Sequence, residues 1–190
     1  MKRAGQSGVT LLLAGALSAC GYHVAGRSNS LPKSIHVIAV PALENKTTTY
    51  KVEQKLTAAT IHEFLSKTNF KVVSDPQNGD AVLTGKVLSL EVVPLLFQST
   101  SSTAGSTAAQ ATAMLVTMRC EVTLTERDND KVLYHTDNFV FRNEYQLATS
   151  APSPNVRGDV ESFFQEGEPA LDRMAQDFAT RLVAAVTENY

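Results

Sequence analysis

The chain has 190 residues, 43% of them hydrophobic, which is enough for one ordinary domain whose core needs no disulfide or metal staple. Its 17 Lys and Arg against 19 Asp and Glu give a formal net charge of -2, so there is no basic footprint and nucleic acid is excluded as a partner. Two cysteines, Cys20 and Cys120, exclude a framework of several disulfides.

At the N-terminus Lys2 and Arg3 precede an apolar run, Val9 to Leu17, that is shorter than the roughly 20 residues needed to span a bilayer. This order of a basic and then an apolar region is that of an export signal. Leu17-Ser18-Ala19-Cys20 closes the run and resembles the lipobox of bacterial lipoproteins, which makes Cys20 the acylated residue. The alternative is an ordinary cleaved secretory peptide that leaves Cys20 a plain thiol. Each buried methylene adds ~0.8 kcal/mol, so several acyl chains on one cysteine hold a protein at the bilayer. In such lipoproteins an aspartate after the cysteine favours inner-membrane retention. Gly21 stands there, compatible with the outer membrane. The expected organisation is a signal peptide over 1–19, an acylated tether over 20–33 and a single domain over 34–190. Removing the signal takes Lys2 and Arg3 and no acid, leaving 15 basic residues against 19 acidic ones.

Ser34 to Val40 reads as a strand apolar on both faces, ended by Pro41. The polar turn Asn45 to Thr49 precedes a helix from Tyr50 to about Lys67. Val52, Leu56, Thr60 and Phe64 form its inward stripe, and Lys51, Lys55, Glu63 and Lys67 face water. Asn69 is the expected stop. A short strand, Phe70 to Ser74, and a turn through Gly79 follow. Ala81 to about Val93 is a longer strand with Val82, Leu88, Leu90 and Val92 on one face, a bulge at Gly85, and fraying or an edge position from Pro94 to Phe97.

Gln98 to Thr112 contains only Gln, Ser, Thr, Ala and Gly. It is expected to be a long, mobile hairpin tip, either functional or unstructured, with Gln98, Ser101 and Gly105 as its representative positions. Ala113 to Glu126 alternates most cleanly, with Met114, Val116, Met118, Cys120, Val122 and Leu124 inward. After the turn Arg127 to Lys131, Val132 to Tyr145 alternates again as its antiparallel neighbour. Ala148 to Gly158 is a loop, and Val160 to Phe164 opens a helical turn. A last helix starts near Pro169 and runs to about Val186, with Asp172, Arg173, Asp177 and Arg181 on its outer side. The fold class is α+β, a two-layer sandwich of a mostly antiparallel, mixed sheet with two helices on one face.

Catalytic and cofactor motifs are absent. His23, His36, His62 and His135 share no local spacing, and there is no HExxH, GxSxG or phosphate-cradling loop. Asp128-Asn129-Asp130 lacks the glycine and glutamate of a calcium loop, because Leu133 and Phe139 occupy those positions. No enzyme, cofactor or metal is expected, and Cys120 is a core thiol.

Cys20-Gly21-Tyr22-His23, Leu31-Pro32 before the first strand, Pro41 and the Asn45 turn, Gly85-Lys86-Val87, Phe141-Arg142 and a C-terminal amphipathic helix occur in that order. In that order the chain resembles the LptE family of lipopolysaccharide-assembly lipoproteins over essentially its whole mature length. The resemblance implies an outer-membrane lipoprotein whose domain plugs a large β-barrel partner, the LptD-like lipopolysaccharide-assembly protein. It also implies help in folding that barrel, binding of lipopolysaccharide, and placement of lipopolysaccharide in the outer leaflet. The implied partners are thus the barrel, lipopolysaccharide, and the membrane through acylated Cys20. Family members can carry basic residues near the tip and in the loop before the last helix. This tip has none, so Arg142 and Arg157 are the candidates for lipid A phosphates. An envelope lipoprotein that regulates a cell-wall synthase is the competing reading. The tether from Gly21 to Lys33, at most ~45 Å long, is short for that role.

Overall fold

Six strands and two helices form from these patterns in a computed structural model that describes residues 31–101, 107–146 and 168–188. In chain order they are β1 (Val37–Ala39), β2 (Glu44–Asn45), α1 (Val52–Lys67), β3 (Lys71–Val73), β4 (Ala81–Ser101), β5 (Thr107–Glu126), β6 (Val132–Gln146) and α2 (Glu168–Glu188). The strands make one sheet in the order β3-β1-β4-β5-β6, with β2 also paired to β4. β1 lies parallel to β3 and β4, while β4, β5 and β6 are antiparallel. The result is the expected α+β arrangement, a mixed sheet with two helices packed against it.

The alternation along β5 survives intact. Met114, Val116, Met118, Cys120, Val122 and Leu124 are all buried, beneath Val52, Leu56 and Phe64 of α1 and Met174, Phe178 and Leu182 of α2. Phe178 meets Phe139 and Phe141 edge to face at 5.6 and 6.0 Å. β1 is covered on both faces as its composition implies, with Ile38 and Ala39 fully buried. Its start is fixed by Asp80, whose Oδ2 accepts from the N–H groups of His36 and Val37, both at 2.8 Å.

α1 is the shorter of the two helices and begins without a side-chain cap, at Lys51 with φ 59°. The turn before it is held instead by Asn45, whose Nδ2 donates to the Thr49 carbonyl and to Glu53, both at 2.9 Å. Its C-terminal stop is Thr68 rather than Asn69. The Thr68 N–H and hydroxyl both bond the Phe64 carbonyl, at 3.0 and 2.6 Å.

Two expectations about side-chain direction are corrected. Glu63 is buried, 3% exposed, because α2 supplies donors that the local pattern of α1 does not contain. Asp177 and Arg181 turn toward β6: Asp177 accepts from Asn143 and Tyr145 at 2.9 and 3.0 Å. Arg181 sits 5.1 Å over the Phe141 ring.

β4 changes face partway along. Ala81, Leu83 and Val87 are buried, then a register shift between Val87 and Ser89 inserts Leu88 as an extra residue, and Leu90 and Val92 pack against the core beyond it. The bulge therefore lies at Leu88 and not at Gly85, and Leu88 is exposed. Gly85 has a different role: a Cβ there would stand 2.8 Å from Leu43 Cδ2, so the glycine admits the close approach of Leu43. Pro94 stays within the strand, opposite Met114, beside a second shift between Pro94 and Leu96. A bulge is where a ladder tolerates a residue without an N–H.

Candidate functional surface: the helix-free sheet face and the projecting hairpin

Helices cover one face of the sheet, so the opposite face and the strand ends carry whatever the domain presents to partners. Register places Thr117 between Glu91 and Arg142, Arg119 between Ser89 and Val140, and Leu115 between Val93 and Glu144. Arg119 and Arg142 are both exposed and are diagonal neighbours across β5 and β6, a separation of ~7–8 Å between backbones. Around them stand Leu88, Val93, Leu95 and Val140, each between 43% and 48% exposed. Two cations beside exposed apolar side chains offer contacts to an amphiphile with an anionic head, although the exposed acids Glu91 and Glu144 flank Arg142 on the same face. Arg119 was missed as a candidate because its nearness to Arg142 depends on strand register, which local sequence does not reveal.

The second feature is the hairpin. β4 and β5 stay paired from Ala81↔Glu126 to Ser101↔Thr107, and β6 ends where Gln146 pairs with Ala113. From Phe97 to Ser101 and Thr107 to Ala111 the ribbon has two strands only among the described residues. At ~3.3 Å per residue these rungs project roughly 15 Å past the sheet. Gln98 and Ser101, expected in a mobile loop, are strand residues opposite Gln110 and Thr107. An antiparallel ladder is built from main-chain groups and needs no apolar side chains. Gly105, Cys20 and Arg157 lie outside the described residues, as do residues 20–30 of the expected tether, the loop Ala148 to Gly158 and the turn Val160 to Phe164; Leu31, expected in the tether, is instead buried in the core.

The chemistry elsewhere is quiet. A hollow of about 380 Å³ is lined by Pro41, Ala42, Glu44, Thr84, Gly85, Lys86 and Glu121, but its charges are already paired, Lys86 with Glu121 inside it and Glu44 with Lys46 outside the lining. Lys86 meets Glu121 at 2.8 Å, which raises the lysine pKa, and Glu44 bonds Lys46, which lowers the carboxyl pKa. Thr123, His135 and Asp137 form a chain of contacts at 2.9 and 3.0 Å. The sequence signal was the spacing of two between His135 and Asp137. The chain lies on open surface, the Asp137 side chain 85% exposed, without the enclosed, water-free setting in which such a constellation becomes reactive. Cys120 is buried, which pushes its thiol up to about 12, away from nucleophilic use. No group of three or more metal-ligating side chains occurs among the described residues.

These surfaces define a binding protein, an α+β sandwich that presents an amphipathic sheet face and a projecting ribbon. The sequence model of the LptE family, lipopolysaccharide-assembly, matches residues 35–186, and the chain belongs to that family. It is a non-enzymatic outer-membrane lipoprotein of lipopolysaccharide assembly, and family membership brings with it a β-barrel partner of the LptD type. No curated protein sequence matches the chain. Among solved structures it is similar to protein CT253 from Chlamydia trachomatis, at 10% identity over 80% of this chain and 95% of that one, TM-score 0.47. It is also similar to the PelC dodecamer from Paraburkholderia phytofirmans, at 12% identity over 85% and 94%, TM-score 0.43. The rare lipoprotein B from Shewanella oneidensis matches at 14% identity over 77% and 96%, TM-score 0.32.

Proposed function

We propose that this domain is the plug of a lipopolysaccharide translocon, seated inside its β-barrel partner and held at the membrane by acyl chains on Cys20. It assists insertion of lipopolysaccharide into the outer leaflet. The observation that carries this reading is the two-stranded ribbon beyond Ala113. An isolated ribbon is marginally stable in water, and beyond Phe97 the described rungs are built from Gln, Ser, Thr and Ala, with no large apolar side chain and no charge of their own. Inside a lumen it finds neighbours for its free edges without burying an unpaired charge. Arg142, with Arg119 beside it and Arg157 of the segment between β6 and α2, contacts the phosphates of lipid A, while Leu88, Val93, Leu95 and Val140 lie against acyl chains.

The test is recovery of the barrel with the tagged, acylated chain from native membranes, comparing wild type with a chain in which residues 98–111 are replaced by an Asn-Gly turn. Loss of a near-stoichiometric barrel from the shortened chain supports the plug. Equal recovery removes the hairpin from the interface, and absence of a barrel with wild type overturns the reading. Separately, Arg142→Ala with Arg157→Ala is expected to lower lipopolysaccharide retention severalfold without changing barrel recovery. Unchanged retention removes both arginines.

A further inference from the structure

β6 is the last strand of the sheet, and among the described residues nothing pairs with its outer edge. Alternate residues of such a strand exchange both main-chain bonds with the inner neighbour, and those between direct theirs outward. Two contacts identify the outward set. The Arg142 carbonyl accepts from Nη1 of Arg181 at 3.1 Å, and the Glu144 N–H donates to Oδ1 of Asn143 at 3.1 Å. Side chains thus occupy a carbonyl and an amide that a ladder to β5 would otherwise hold. Val140, Arg142, Glu144 and Gln146 face outward, and the Arg181 guanidinium, stacked over Phe141, lies across this edge.

We propose that the β6 edge from Val140 to Gln146 is a docking strand for a second copy of this chain, paired about a two-fold axis at Asn143 and held shut in the monomer by Arg181. In that register Arg142 stands opposite the second copy's Glu144. The Glu144 N–H donates to the Arg142 carbonyl of the other chain, and the relation repeats across the axis. The two groups capped in the monomer are therefore each other's partners in the pair. Opposite charges directly across a ladder attract and like charges repel. Moving the axis by one residue, to 142 or to 144, puts Arg142 against Arg142 or Glu144 against Glu144. Charge therefore selects one register, and on the helix side that register sets Phe141 opposite Tyr145. A bare edge invites such pairing, and a side chain laid across it is one way proteins prevent it. This inference does not depend on the plug reading.

Position 143 gives a direct test. Across the axis the two residues form a non-hydrogen-bonded pair with Cα atoms ~4.5 Å apart, within the range of ~4.4–6.8 Å that a disulfide spans. Cys120 does not compete, since it is buried and its thiol is pushed up to about 12. The acylated chain carrying Asn143→Cys, alone or with Arg181→Gln, is oxidised in its own membranes. The band at twice the chain mass is expected to rise at least fivefold when Arg181→Gln is added. Adding Glu144→Arg returns it to background, and adding Arg142→Glu to that variant restores it. No band at twice the mass with Asn143→Cys and Arg181→Gln, or a band joining the chain to a different protein, overturns the proposal. So does an Arg181→Gln chain with Asn143 retained that, purified and folded, sediments only as a monomer at about 100 µM, where an edge pair in the micromolar range would be mostly dimer.

Discussion

Glu63 of α1 and Gln176 of α2 are joined by a 2.7 Å hydrogen bond between the helices, and Thr180 donates to the same carboxylate at 3.0 Å. Glu63 is 3% exposed and among the described residues its partners are two neutral donors, which keep it in the core. Removing a donor from a buried acceptor costs more than removing both sides of the bond. Gln176→Leu is therefore expected to lower stability by about 1–3 kcal/mol. Glu63→Met is expected to cost less, because Gln176 and Thr180 lie near the surface and turn to water. Urea unfolding of the two variants checks this; the opposite order would show that the carboxylate is not held by these bonds. The nearby ion pair of Lys55 with Asp172 at 2.7 Å, its side chains 33% and 54% exposed, contributes at most about 1 kcal/mol.

Gly79 and Gly85 are predicted to differ sharply when each is changed to alanine. At Gly79 the new Cβ would lie 2.7 and 2.8 Å from Ala39 Cβ and N and 2.9 Å from the Ala81 carbonyl oxygen, contacts mostly with backbone that cannot yield. At Gly85 the contact under 3 Å is the end of the Leu43 side chain, which rotates away. Gly79→Ala is expected to cost about 1–3 kcal/mol and Gly85→Ala distinctly less. Equal shifts in urea midpoint would contradict this.

How far the sequence reveals this architecture depends on how local each cause is. β5 could be read residue by residue because neighbours on both sides keep its alternation unbroken from Met114 to Leu124. β4 could not be read as one alternating strand, since the insertion of Leu88 carries no residue signature and brings Leu83 and Val87 before it onto the same face as Leu90 and Val92 after it, leaving Val82 and Leu88 off that face. β2, two residues long, is too short to show a period. Glu63 looked like a solvent residue because its donors sit on a helix more than a hundred positions away. The hairpin tip looked like a loop because its side chains carry no apolar pattern, while its pairing is made by the main chain. Arg142 was legible as an exposed arginine on a strand, but Arg119 beside it, and Arg181 at its carbonyl, required the register of β6 and the docking of α2.

Asp80 gives a pH dependence. Two hydrogen bonds from the His36 and Val37 N–H groups at the start of β1 hold its carboxyl below the usual carboxylate range. A depressed folded pKa means stability that is present above the unfolded value, ~3.9, and lost as pH falls through the folded one. Asp80→Asn keeps an acceptor oxygen but removes the charge, so at pH 7 it is expected to cost roughly 1 kcal/mol after solvent screening. The gap to wild type should close as pH drops below about 4. A gap that persists undiminished at pH 2.5 would mean that geometry rather than charge anchors β1.

Cys120 reports the core from the alkaline side. Its thiol is buried and pushed up to about 12 by desolvation, whereas an unfolded chain releases the same proton near ~8.5. Above that lower value the unfolded state binds fewer protons than the native state, so stability falls as pH rises toward the folded value. Cys120→Ala removes this contribution and is expected to show a shallower decline between pH 8.5 and 10.5, although its stability at pH 7 is lower because a cavity is left among Met118, Val122 and Phe139. A thiol reagent at pH 8 is expected to modify Cys120 only at the rate at which the sheet opens, with labelling accelerating in step with added urea. Rapid labelling of the native protein, at the rate of an exposed thiol, would show that β5 is not covered by α1 and α2 in solution.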